Sequence, residues 1–176
     1  PVSDTVSSSP APSSAERGSA TPLLRQALGY RRFRGPRRVL LLDSGYYTVA
    51  DLRDAARSLG FAVAALRCPS GGALSSEFIA ALLSALVAHR PDYLLTVNHA
   101  GLDRDGAVAE LLADYDLPLA SWFVDHPLPI LGPAPAGPRD HIQVFCLERR
   151  ALPYLRRVGF GDPRHLPTAA RERPLS

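Results

Sequence analysis

Two hydrophobic rhythms alternate along the chain. Short runs that are apolar almost throughout occur at residues 39–43, 61–66, 93–97, 117–124 and 142–146, with a shorter extended piece at 164–166. Runs of this length and apolarity predict strands buried on both faces. Between them, apolar residues recur every three or four positions, the spacing of a helix with one buried face. Val49, Leu52, Ala56 and Leu59 form the first such stripe, with Thr48 as the expected N-cap, Asp51 three residues on and Gly60 as the stop. Phe78, Ile79, Leu82, Leu83, Leu86 and Val87 form the second, starting near Ser75 or Ser76 and ending before Pro91. A third helix is expected over residues 105–115 with Val108, Leu111 and Leu112 inward, and a last one over 151–158 that closes at Gly159.

Strands alternating with amphipathic helices predict an α/β fold: a Rossmann-like, doubly wound parallel sheet of five to six strands with helices on both faces. In the strand order 3-2-1-4-5-6 the first and fourth strands meet at the topological switch, and the loops leaving them flank one crevice. The domain is expected over residues 37–167. Residues 1–36 read as a Ser/Pro/Ala-rich and then Arg-rich lead or linker, in which residues 22–28 can form a short helix, and residues 168–176 read as a tail or truncated inter-domain linker. Residues 126–140 hold five prolines and two glycines where a helix would be expected, the kind of long irregular connection that is usually functional or disordered.

Composition narrows the picture without redirecting it. At 176 residues, 46% hydrophobic and 21% charged, the chain has ordinary globular values and the size of one domain. All 20 basic side chains are arginine, and methionine is absent. Arg25, Arg31, Arg32, Arg34, Arg37 and Arg38 crowd before the first strand, but with little aromatic interleaving they read as a solvated basic linker rather than a nucleic-acid surface. Cys68 and Cys146 have neither disulfide-framework density nor metal-ligand spacing, so reduced thiols packed beside strands and a cytoplasmic location are expected. No run approaches the roughly 18 apolar residues of a membrane span.

The chemistry-bearing residues gather where strands end. Asp43, Ser44, Gly45, Tyr46 and Tyr47 follow the first strand, Asn98, His99, Ala100 and Gly101 the third, and Asp125, His126 and Pro127 the fourth. Gly45 can let the backbone approach a phosphate or sugar, or simply make a tight turn. Asp125 or His126 can accept the proton of a sugar hydroxyl, which is a poor nucleophile until a base within hydrogen-bond reach takes that proton; the alternative is that Asp125 caps a turn and His126 fixes the chain before Pro127. Asn98 and His99 offer donors and acceptors for hydroxyl groups. Asp103 or Asp105 reads as a helix cap, and Trp122 as core rather than sugar platform. A metal held by His99, Asp103, Asp125 and His126 is conceivable on residue type alone, but no metal motif occurs and none is expected.

The segment PDYLLTVNHAGLDRDGAVAELLADYDLPLASWFVDHP, with VFCLERRALPYLRRVGF and HLP downstream, resembles the N-terminal part of bacterial glycosyltransferases related to the spore-maturation protein CgeB. The resemblance spans roughly residues 38–167 and is most specific at Asn98, Gly101, Asp103 and Gly106 and at Trp122, Phe123, Val124, Asp125 and Pro127. It implies one half of a GT-B enzyme. This half would contact a carbohydrate or glycosylated acceptor through Gly45, Tyr46, Asn98, His99, Asp103 and Trp122, with Asp125 or His126 as catalytic base. A second, C-terminal Rossmann-like half would hold the nucleotide-sugar co-substrate, and no other cofactor is implied. His126 and the Thr168-Ala169-Ala170-Arg171 string depart from the family pattern, which implies an atypical hinge and an isolated chain without activity. The rivals are a non-catalytic binding or scaffolding domain and, less fittingly, a receiver-like signalling domain, which would want an acceptor aspartate after the third strand and a later lysine where this chain has Asn98 and no lysine at all.

Overall fold

The computed structural model describes residues 22–69, 74–103, 106–132, 139 and 141–169. Expectations that fall on the remaining positions, among them the Ser/Pro/Ala-rich lead over residues 1–20, Asp105 as a cap, most of the proline-rich connection and the last seven residues, lie outside the described residues. Six strands form one sheet: β1 (Arg38–Asp43), β2 (Ala62–Arg67), β3 (Tyr93–Val97), β4 (Leu119–Phe123), β5 (Ile142–Cys146) and β6 (Arg164–His165). Every neighbouring pair is parallel, so a crossover joins each strand to the next. The helices are α1 (residues 22–28), α2 (Tyr47–Ser58), α3 (Ser76–His89), α4 (Ala107–Asp114), α5 (Pro127–Leu131) and α6 (Leu152–Arg157), the last preceded by a 3-10 turn at Arg149–Ala151. The fold is α/β, a Rossmann-like doubly wound sheet.

Alternation along each strand builds two cores. Leu40, Leu42, Leu94, Leu119, Phe123, Ile142 and Val144 face one side, where Phe78, Leu82 and Leu86 of α3, Val108 and Leu112 of α4 and Leu155 of α6 close over them. Val39, Leu41, Val97, Trp122 and Val124 face the other, where α2 supplies Val49, Leu52 and Ala56. The strand order is β2-β1-β3-β4-β5-β6. This corrects the expected 3-2-1-4-5-6. After β2 the chain crosses back over β1, so β3 rather than β4 lies beside β1 (Val39 pairs with Tyr93 and Leu42 with Thr96). The first crossover helix, α2, lies on one face and the next two on the other, which puts the switch between β1 and β3.

Three local differences have plain causes. Tyr46, not Thr48, occupies the N-cap of α2; Thr48 is buried within the first turn, and its Oγ1 has no hydrogen-bond partner among the described residues. Residues 127–131 of the proline-rich connection form the short α5, because proline at the first helical position gives up an N–H that would be orphaned anyway. The packed body begins before Arg37. Leu28 is 1% exposed in the larger core, the Tyr30 hydroxyl donates to the Pro91 carbonyl, and the buried Asp92 carboxylate accepts from the backbone N–H of Phe33 and of Arg38. Residues 22–36, assigned to the lead from their arginines and serine-rich approach, are therefore part of the domain.

Candidate functional site at the carboxyl edge of the sheet

The loops leaving β1, β3 and β4 do converge. The β1 loop turns sharply at Gly45, whose φ of +83° is a left-handed value, and a Cβ there would stand 2.8 Å from the Arg67 guanidinium. The Asp43 carboxylate accepts from the Gly45 N–H at 2.7 Å and fixes that turn. The chain then presents Tyr46, whose hydroxyl reaches across the end of β3 to Asp125 and donates to its carboxylate at 2.9 and 3.0 Å. The residue between them is Asn98, in the left-handed region at φ 53°, which asparagine tolerates better than most side chains. Its amide Nδ2 donates to Asp125 Oδ2 at 2.7 Å, and its Oδ1 accepts from the backbone N–H of Val124 at 3.0 Å and of Asp125 at 3.1 Å. One amide thus ties the end of β4 to the end of β3 and aims the carboxylate.

Asp125 is exposed although two side chains hold it. Tyr46 is pushed up to about 12, first by loss of hydration and then by its hydrogen bond to the Asp125 carboxylate, which stabilises the neutral phenol. It is a proton donor at every physiological pH. His126 is also exposed, but its Nδ1 accepts from the Leu128 N–H at 3.2 Å as the cap of α5. In the neutral ring the proton therefore sits on Nε2, which faces Glu148 Oε2 at 3.9 Å.

The other residues expected here sit elsewhere or do other work. His99 is 8% exposed and points into the larger core: its ring stacks on Phe123 at 5.4 Å, meets the edge of Phe160 at 5.7 Å, and its Nδ1 lies 2.9 Å from Ser121 Oγ. Burial, with the Arg139 charge second, lowers its pKa to about 3, so the ring is neutral. Asp103 caps α4 by accepting from the N–H of Ala107 and of Val108, each at 2.8 Å. Trp122 is 9% exposed in the smaller core, and its indole N–H donates to the Leu166 carbonyl at 3.1 Å. The conceivable metal set is therefore split between rim, core and cap, and among the described residues no group of three His, Cys, Asp or Glu side chains converges as metal ligands would. Gly101, at φ +75°, lets the β3 loop close onto the core, where a Cβ would lie 3.1 Å from both Cys68 and Leu42. Cys68 and Cys146 are both free and buried, and burial pushes the Cys68 thiol up to about 11.

A groove of about 600 Å³ opens beside α2, with Tyr47, Asp51, Leu52 and Asp54 on one wall, Trp122 and Thr168 on the other. Tyr47 carries no signal in the sequence beyond its place in the β1 loop next to Tyr46.

What these features define as a class is an α/β domain with a polar cluster at the carboxyl edge of a parallel sheet. No protein-family model matches the sequence, and no curated protein matches it. Among solved structures the chain is similar to an alanine–glyoxylate aminotransferase from Nostoc sp., at 21% identity and a TM-score of 0.36, over 64% of this chain and 31% of that one. Among the described residues no helix is long and apolar enough to cross a membrane.

Proposed function

We propose that this domain is the acceptor-side half of a GT-B glycosyltransferase, in which Asp125 takes the proton from an acceptor hydroxyl. The observation that carries the reading is the exposed Asp125 carboxylate held at the sheet edge by Tyr46 and Asn98. A general base must be accessible, ionised and fixed in direction, and two neutral donors fix a carboxylate without adding a counter-charge. The resemblance of the Trp122–Pro127 segment to CgeB-related enzymes points to the same residue.

In the reaction, the acceptor O–H breaks as its oxygen bonds to the anomeric carbon of a nucleotide sugar. The proton passes to Asp125, and the bond from the anomeric carbon to the diphosphate oxygen breaks. The diphosphate is left to the donor-binding half. His126 is the weaker candidate of the original pair, because its basic nitrogen is already committed to the Leu128 N–H.

The test is transfer by the gene product that carries these residues, assayed against a panel of nucleotide sugars. Asp125→Asn is expected to cut turnover by about 10²-fold or more, and His126→Ala by much less. Full turnover in Asp125→Asn removes Asp125 from the chemistry.

A further inference from the structure

We infer that the exposed ring of Tyr47 and the groove behind it form a subsite for an oligosaccharide, with the reacting sugar at Asp125 and further rings running along α2. The inference rests on the acceptor-side reading and gives it a substrate class: a glycan chain rather than a single small hydroxyl compound.

Tyr47 is the first residue of α2 and is 71% exposed, a large apolar side chain that the fold does not bury. Its ring lies against that of Tyr46, with centroids 4.7 Å apart and planes tilted by 31°. The Tyr46 hydroxyl sits on Asp125. Tyr47 is therefore one ring removed from the carboxylate, and it also lines the groove beside α2. An exposed aromatic face is a platform for the C–H face of a pyranose, and hydroxyls at a ring's rim need planar acceptors and donors around it. The groove supplies both kinds of wall: Leu52, Ala55 and Trp122 are apolar, while Asp51, Asp54, Ser58 and Thr168 are polar.

Size fits the same ligand. At about 600 Å³ the groove lies within the range of small-molecule sites and has room for more than one sugar ring. It is half-open to solvent, which gives a chain a way in and out. Thr48, on the same wall, is 7% exposed, and buried polar atoms without a partner are uncommon in native folds.

Trp122 is the single tryptophan of the chain and lines the groove, so its emission reports on occupancy without a label. The probes are neutral trisaccharides of glucose, of mannose and of N-acetylglucosamine. At least one of them is expected to change Trp122 emission saturably. Tyr47→Ala is expected to weaken that binding by about tenfold and Tyr47→Phe to keep it. Ala55→Phe, which narrows the groove without changing Tyr47, is expected to abolish it; thermal melts establish that each variant is folded.

No saturable change with any of the three probes overturns the subsite, as does affinity unaltered by both Tyr47→Ala and Ala55→Phe. The underlying reading fails separately: full transfer activity in Asp125→Asn sinks the catalytic assignment even where trisaccharide binding depends on Tyr47.

Discussion

Asn98 and His99 are consecutive, both sit in the left-handed region, and their side chains leave in opposite directions. Asn98 goes to the rim and organises Asp125, while His99 goes inward between Phe123 and Phe160. A polar residue type at a strand end says that a group is near the rim, but not on which side of the backbone it falls, so the sequence offered both as ligand contacts. The buried ring has a consequence for stability. The folded state holds His99 neutral down to about pH 3, whereas the unfolded chain takes up that proton near 6.5. Below 6.5 the unfolded state therefore binds more protons, and stability falls with pH across the window from 6.5 to about 3, at up to about 1.4 kcal/mol per pH unit from this residue. Urea midpoints measured at pH 7 and pH 4.5 are expected to drop more steeply for the native chain than for His99→Leu. Equal slopes would mean that the ring is not buried as described.

Among the helices, α4 is set by one side chain. Gly106 occupies its cap position and has nothing to offer the orphan N–H groups, so Asp103 reaches over and accepts from Ala107 and Val108. Asp103→Ala is expected to cost about 1 kcal/mol, within the 0.5–2 kcal/mol range of lost caps, and Asp103→Asn much less because its amide oxygen still accepts. Denaturant midpoints decide it, and a midpoint unchanged by Asp103→Ala would contradict the cap. This role was legible from an aspartate just ahead of an apolar helical stripe, and so were the first five strands, because their apolar runs are short and sharply bounded. The start of α2 was not. Thr48 has the residue type of a cap, but the turn at Gly45 is tight enough to bring Tyr46 into the capping position and to bury Thr48. The helix within the proline-rich connection was hidden for a related reason: its prolines are tolerated only at its N-terminal end, which composition alone does not locate.

At the scale of the whole molecule, strand order is what the apolar pattern cannot carry. Every interior parallel strand is apolar on both faces, so nothing in β3 marks whether it pairs with β1 or β2. The site nonetheless forms across β1, β3 and β4, because the Tyr46 side chain is long enough to span the end of β3, and the convergence of the three loops survives the change of order. The same blindness to tertiary context hid the first part of the domain. The arginines before β1 look like a solvated linker, yet Arg32 donates to the carbonyls of Leu28 and Tyr115, and the segment carries Leu28 into the core shared with α3 and α4. If residues 22–36 fold cooperatively with the sheet, Leu28→Ala should cost about 2–5 kcal/mol, the range for a buried leucine whose cavity only partly collapses. Tyr30→Phe, which deletes the hydroxyl bonded to Pro91, should cost about 1 kcal/mol. Both are read from denaturant midpoints at constant slope, and a loss under about 0.5 kcal/mol for Leu28→Ala, the scale of an ordinary surface substitution, would return these residues to the linker that their composition suggested.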